Sequence, residues 1–399
     1  MLPEKLKEID QQLIDLLSKR IAVLAESQSI SLEEQITNFA FDLVQAGVPE
    51  SMWQNLVTGC SSAVASAFSP PTKTKPRRVT LVGGRGIMGH FFQQKLSAAG
   101  HYVSILDQGD WEKAESLLEK ADLVLVCVPI EQTIEVIYKL AKYLSPTTAL
   151  ADIASIKTSI LQTMLEEHSG PVMSLHPMFG PGIKSFLSQK VVVCSGRGDD
   201  AFQWLLDLIQ NDGGKLILST PEEHDKMMIA VQAIRNFKTF CLGVFLAEEE
   251  IDIRRSLNFS SPIFRLEIDI VGRLFTQSAP LIVDIMLATS ERREAIKRLA
   301  VTCNRLAQLI IHNDRDSLIR EFKTTHSILG EEMSSAVEES TQMINTLSTL
   351  LAARDIEQKQ PYFVSKQSAM PSLREASLSE TLTRTPTVGV AIANQPIAS

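Results

Sequence analysis

The sequence predicts an α/β protein: a parallel-sheet domain, followed by an all-helical dimerisation domain and preceded by a small helical module. Three observations predict it. Between residues 78 and 220 short apolar runs alternate with helix-length segments, the pattern of parallel strands joined by crossover helices. From 221 onward the periodicity is helical. A stretch rich in proline and basic residues, SPPTKTKPRR at 69–78, separates the alternating region from helical periodicity before it.

Each element follows in order. Leu6, Ile9, Leu13 and Leu17 recur at helical spacing over 4–26 and predict a helix with a buried stripe. Segments 32–47 and 50–67 read as two more helices, so 1–67 is a helical module and 68–77 a linker. VTLVGG (79–84) is a strand, Met88–Ala99 a helix, and HYVSILD a strand ending at Asp107. ADLVLVCVP (121–129) and TALADIAS (148–155) are further strands, and VVVCSG (191–196) and KLILST (215–220) extend the sheet. The segment 226–247 is apolar almost all round. A domain of this size cannot bury such a helix alone, which predicts a homodimer held through the helices of 221–353. Residues 354–399, rich in Ser, Thr, Pro, Ala and Gln, read as a mobile tail.

Composition narrows the function. The chain has 399 residues, 44% hydrophobic and 22% charged, and a formal charge of -8. That excludes a wholly disordered chain and argues against a nucleic-acid binder. Five scattered cysteines without a CxxC or Cys/His cluster suggest no metal site and a reducing, cytoplasmic setting. No signal peptide or transmembrane segment is expected.

The strongest local motif is Gly84-Arg85-Gly86-Ile87-Met88-Gly89, after a strand and opening a helix. The first glycine permits a tight turn, the second lets the backbone approach a pyrophosphate, and the third lets helix and strand pack closely. Asp107 lies 18 residues beyond Gly89, where a carboxylate accepts hydrogen bonds from an adenosine ribose. Together these predict a Rossmann-type domain that binds NAD through Gly84, Gly86, Ile87, Met88, Gly89 and Asp107. Asp107 disfavours a 2′-phosphate and hence NADP. Arg85 is either a cation for a phosphate or a solvent-exposed loop residue. His176, between an apolar stretch and a Pro/Gly turn, and Ser155 both fall at ends of elements; at neighbouring strand ends they can share a hydrogen bond.

HPMFGP (176–181), DIASIK (152–157), GGRGIMG (83–89), EEHDKMM (222–228) and SSPIFRLEIDIVGRLF (260–275) resemble the prephenate dehydrogenases of tyrosine biosynthesis. The form is that of the bacterial bifunctional chorismate mutase–prephenate dehydrogenases, the T-proteins, over about residues 1–345. The resemblance implies NAD-dependent oxidative decarboxylation of prephenate, with His176 accepting the hydrogen bond of the C4 hydroxyl and Ser155 orienting both. It implies Arg273 as the grip on a substrate carboxylate and His224 as a supporting residue. Arg265 is a second candidate cation, or else the partner of Glu267 or Asp269. The alternatives are arogenate as substrate, a bifunctional enzyme with residual chorismate mutase activity, or a non-catalytic partner-binding protein.

The resemblance also implies that 1–67 is a chorismate-mutase-like module, and here the chain departs from the family pattern. Arg20 matches one family arginine. Other expected cations fall near Pro3 and Ser31, an acidic–basic run reads Glu33-Glu34-Gln35, and the stretch Gly59–Val64 lacks the expected Glu or Gln. A pericyclic step on a dicarboxylate needs several cations, so lost mutase activity is expected. Asn236 stands where tyrosine-inhibited relatives carry a histidine, which implies weak or altered feedback.

Overall fold

The structure, a computed structural model, describes residues 2–27, 30–67, 75–180, 182–330 and 335–357. Pro181, linker residues 68–74 and, from 358 on, the expected tail lie outside the described residues. The elements below belong to one compact unit that ends at Leu350.

The N-terminal module is helical: Glu4–Glu26, Leu32–Thr37, Ala40–Ala46 and Glu50–Ala67. The single helix expected over 32–47 breaks at Asn38–Phe39. Phe39 leaves helical geometry at φ -113 and ψ 11, and its ring packs edge-on against Trp53 at 5.6 Å. Trp53 organises the module further: Arg20 lies over its ring at 5.7 Å and its indole N–H donates to the Gln35 carbonyl. The expected buried stripe on the first helix is corrected. That helix buries no residue, and Leu6, Ile9 and Leu13 are 41%, 51% and 43% exposed.

The sheet has seven strands: β1 Arg78–Val82, β2 Tyr102–Leu106, β3 Leu123–Val126, β4 Ala149–Asp152, β5 Val172–Pro177, β6 Lys190–Arg197 and β7 Lys215–Leu218. Their order is β2-β1-β3-β4-β5-β6-β7. β1 to β5 run parallel, which puts their carboxyl ends on one edge. The expectation of a parallel sheet needs one correction. β6 is antiparallel to β5 and β7 is parallel to β6, so the last two strands run the other way. The β5–β6 connection, 178–189, carries no helix among the described residues, whereas parallel neighbours are usually joined through one.

Successive strand side chains point to opposite faces, and both faces are covered. Val79, Leu81, Leu123 and Leu125 pack with Phe91, Phe92, Phe186 and Phe202 on one face. Val82, Val124, Val126 and Leu150 pack with Ile137, Leu140, Ile160 and Met164 on the other. This two-sided burial explains why the strands read as continuous apolar runs.

The helical domain begins with one continuous helix, Pro221–Met228, Ile229–Ile234 and Arg235–Glu248, whose middle section is a π-turn. Ile253–Asn258, Pro262–Phe275, Ala279–Leu287, Ser290–Ile311 and Arg315–Leu329 follow. Its own core is small, centred on Leu274, Ile282 and Met286. Met227, Val231, Phe245 and Phe259 are 50%, 49%, 55% and 83% exposed. Helix Pro221–Glu248 is long and apolar enough, by length and composition alone, to cross a membrane, a test that the core helix of a soluble protein also passes. Its first turns carry His224 and Asp225, which bond to residues of the sheet domain.

Candidate active site

Two sites lie at the carboxyl edge of the parallel strands. The first is a cleft of about 210 Å³ lined by Gly83, Gly86, Asp107, Trp111, Val128 and Gln132, among others. It opens where the chain goes from β1 to β2 on one side and β3 leaves on the other, the switch point at which such sheets take ligands. The glycine roles shift by one position from the sequence reading. Gly83, not Gly84, takes the left-handed conformation, at φ +80, while Gly84 packs against Ile105 of β2. Gly89 behaves as expected: a Cβ there would stand 2.6 Å from the Gly83 carbonyl oxygen and Gly84 Cα. Helix Ile87–Ala98 starts from Gly86 and presents its free N–H groups to the cleft. Ile87 is exposed and Met88 packs against the core; of the expected cofactor residues, Gly86 and Asp107 line the cleft.

Asp107 caps the turn after β2. Its carboxylate accepts from Arg85 N at 3.1 Å and Gln108 N at 3.2 Å. Cys127 also lines this cleft; burial, then the Asp152 charge, pushes its thiol far above the usual range, so it is no nucleophile.

The second site surrounds His176, the penultimate residue of β5 and 4% exposed. Its Nδ1 is 2.7 Å from His224 Nε2. His224 Nδ1 is 2.8 Å from Asp225 Oδ1. The Gln232 amide nitrogen lies 3.2 Å from His176 Nε2. These partners assign the protons. Asp225 accepts from His224 Nδ1–H, His224 Nε2 accepts from His176 Nδ1–H, and His176 Nε2 keeps a lone pair that accepts from Gln232. Burial, then the charges of Lys157 and Arg292, holds the His176 imidazole well below its ordinary value. Burial alone would raise the Asp225 carboxyl. Hydrogen bonds from His224 and from Thr158 and Lys157 outweigh it and hold the group ionised, well below the usual carboxylate range.

Beneath this row lies a fully buried cluster. Lys157 donates to Asp152 Oδ2 at 2.6 Å, Ser174 Oγ at 2.8 Å and the Leu175 carbonyl at 2.8 Å. Ser174 donates to the other Asp152 oxygen. Burial lowers the Lys157 ammonium's affinity for its proton and the Asp152 carboxylate counters that. Buried Arg292 joins the domains: it donates to the Ser155 carbonyl at 2.9 Å and to the Ile285 carbonyl at 2.8 Å.

The expected residues are thus unevenly placed. His176 and His224 touch. Ser155 does not bond to His176, as the sequence reading allowed, because His224 and Gln232 occupy both ring nitrogens. Arg265 forms no ion pair with Glu267 or Asp269 among the described residues, and its Nε is buried without a partner. Glu267, at i+2, points to another face of the helix; Asp269, at i+4, shares the face of Arg265 without pairing with it. Arg273 lies exposed near the end of helix Pro262–Phe275. Sequence reasoning missed Asp152, Lys157, Asp225, Gln232 and Arg292. Three of them lay inside quoted motifs, Asp152 and Lys157 in DIASIK and Asp225 in EEHDKMM. Gln232 gave no signal, because the π-turn that aims it is a backbone feature. A larger cavity of about 650 Å³, lined by Arg255, Phe259 and Phe264 among others, contains none of these groups.

A switch-point cleft with a glycine-framed helix start, and a neutral imidazole at a nearby strand end, define a nucleotide-dependent dehydrogenase. Comparison with known proteins identifies the kind. Residues 84–218 match the family model for the prephenate dehydrogenase nucleotide-binding domain, and 220–324 the model for its dimerization domain. The T-protein of Haemophilus influenzae is 34% identical over 365 residues, 88% of this chain and 97% of its own length. That of Enterobacter agglomerans is 35% identical over 361 residues, 86% and 96% of the two chains. A solved A. aeolicus prephenate dehydrogenase, in complex with hydroxyphenyl propionate and NAD+, aligns with TM-score 0.53 at 19% identity, covering 65% of this chain and 99% of that one. The chain belongs to the prephenate dehydrogenase family, in the form shared with the T-proteins.

Proposed function

We propose that this protein catalyses the NAD-dependent oxidative decarboxylation of prephenate to 4-hydroxyphenylpyruvate in tyrosine biosynthesis. The observation that carries the reading is the neutral His176, its lone pair on Nε2 and its other nitrogen tied through His224 to Asp225. The nucleotide cleft fits NAD: Gly83 and Gly86 line it at the helix start, Gly89 lets that helix pack against the Gly83–Gly84 backbone, and Asp107 suits a ribose diol. When bound, NAD supplies the hydride acceptor.

The chain's own residues handle the proton and the substrate's charge. His176 Nε2 takes the C4 hydroxyl proton, displacing the Gln232 amide. As the imidazole gains charge, His224 and Asp225 hold its tautomer and share that charge, the role of the third group in relay sites. Ser155 orients the hydroxyl, its loop pinned by Arg292. Arg273 grips one substrate carboxylate, as carried over from the family, and Arg265 is the candidate for a second cation because prephenate has two carboxylates. The Asp152–Lys157–Ser174 cluster fixes the strand ends that carry Ser155 and His176.

The working form is a cytoplasmic homodimer joined through residues 221–353. The exposed Phe245, Val231 and Phe259 support this, and so does the match to a dimerization domain. Residues 1–67 are a chorismate-mutase-like module without mutase activity, 78–220 bind NAD, and 354–399 form a tail.

The test is absorbance at the NADH wavelength with purified protein, prephenate or arogenate, and NAD or NADP, with the product identified. Prephenate with NAD is expected to give NADH and 4-hydroxyphenylpyruvate. Turnover of arogenate without turnover of prephenate would overturn the substrate assignment.

A further inference from the structure

The proposed function leaves Arg85 without a task. Its place in the glycine loop, X in Gly84-X-Gly86, puts a guanidinium beside the carboxylate assigned to the ribose: Arg85 Nη1 is 4.0 Å from Asp107 Oδ2. A cation there would favour a ribose 2′-phosphate and so NADP. The guanidinium is already engaged. Asp110 Oδ2 meets the same Nη1 at 2.8 Å.

Asp110 is fixed for this contact. It lies in the short 3-10 turn that follows β2, and its Oδ2 accepts the Asp107 backbone N–H at 3.1 Å. The Asp110 backbone N–H in turn donates to the Asp107 carbonyl at 2.9 Å. The Arg85 N–H closes the ring by donating to Asp107 Oδ2. One arginine and two aspartates therefore meet at the ribose corner, with a net charge of -1 among these three side chains. Arg85 remains 61% exposed, so a ligand phosphate has access to it, and Asp110 is the group that competes.

We infer that Asp110 is a specificity-determining residue: it occupies Arg85, so that the loop cation cannot recruit a 2′-phosphorylated nucleotide. The inference rests on the reading of this cleft as an NAD site and names how that site rejects NADP. Asp107 repels the phosphate directly. Asp110 removes the one group in the loop that would attract it. An ion pair between partly exposed groups contributes little to stability, so the contact is free to serve selectivity.

The test is equilibrium titration of the full chain with NAD and with adenosine 2′,5′-bisphosphate, which carries the 2′-phosphate but undergoes no turnover. The variant is Asp110→Asn. Its amide oxygen can still accept the Asp107 N–H, so the turn is preserved while the charge is removed. Asp110→Asn is expected to tighten the bisphosphate by about tenfold or more, the scale of one charge-assisted phosphate contact, and to leave NAD within about threefold. Arg85→Ala/Asp110→Asn is expected to return the bisphosphate to wild-type weakness. In steady-state assays Asp110→Asn should raise kcat/KM for NADP relative to NAD in the same direction. Unchanged bisphosphate affinity in Asp110→Asn with NAD binding intact overturns the inference alone, as does a gain that survives in the double variant. A wild-type chain that binds neither ligand overturns the nucleotide-site reading and the inference with it.

Discussion

The sheet domain completes itself within one chain; the helical domain does not. Strands β3 and β4 are buried at every position, and each charged group beneath His176 has its partners inside the chain. The helix Arg235–Glu248 and its neighbours instead leave large apolar side chains in water, Phe245 and Phe259 among them. The lesson is a division of labour. In the proposed function the proton site is assembled where His176 of the closed sheet meets His224, Asp225 and Gln232 on the first helix of the helical domain, while the proposed substrate cations Arg273 and Arg265 stand further along that domain, the part with the exposed apolar face.

Replacing the sheet-domain base should break this picture most severely. His176→Asn is expected to lower kcat by about 10²–10⁴-fold, the usual scale of a lost general base, with NAD affinity and oligomeric state unchanged. Steady-state rates, nucleotide titration and sedimentation check the three parts. Most of the turnover surviving would remove His176 from the chemistry.

Lys157→Met probes the closed core. It leaves Asp152 buried without its ion partner, which should cost about 3–5 kcal/mol, read as a fall in the denaturation midpoint. A loss below about 1 kcal/mol would show that water reaches the cluster.

The helical domain is tested by charge on its open face. Wild type is expected to sediment as a dimer at micromolar concentration, and Phe245→Glu to weaken association by at least about tenfold, since a buried carboxylate at an interface is costly. NAD binding by the sheet domain should survive. A stable wild-type monomer would contradict the proposed homodimer.

Arg273→Ala should sharpen the contrast with His176→Asn. Carboxylate binding persists from ground state to transition state, so KM rises, by about tenfold or more for a charge-assisted contact, while kcat changes little. A collapse in kcat at unchanged KM would move Arg273 into the chemistry. The smallest effect concerns the N-terminal module: chorismate consumption without NAD should match the spontaneous rate. The Arg20 guanidinium already donates to Gln35, and the other expected cations are absent from the sequence.

The same division governs what the sequence reveals. Six of the seven strands were legible to within a few residues, because apolar runs bounded by Gly, Pro and Asp have a local cause; β5, Val172–Pro177, was read only as an apolar stretch before a turn. Asp107, Gly89 and His176 were legible for the same reason. The reversal of β6 and β7 was not, since strand direction depends on pairing and not on composition. Gln232 was hidden by a π-turn, and Arg292 by distance, as it reaches the Ser155 carbonyl from 137 residues away. The stripe Leu6, Ile9 and Leu13 has true helical spacing, yet periodicity does not say whether the covering surface belongs to the same chain.

The central claim is that a buried, neutral His176 receives the substrate proton, and the pH profile of kcat/KM tests it most directly. Its pKa is held below the ordinary 6.5, so the imidazole stays unprotonated and competent as pH falls through 6.5, and activity fails only at lower pH. The expected acid limb therefore has an apparent pKa below 6.5 in the wild type and is missing from the residual rate of His176→Asn. A wild-type limb at or above 6.5, or one that persists unchanged in His176→Asn, would contradict it.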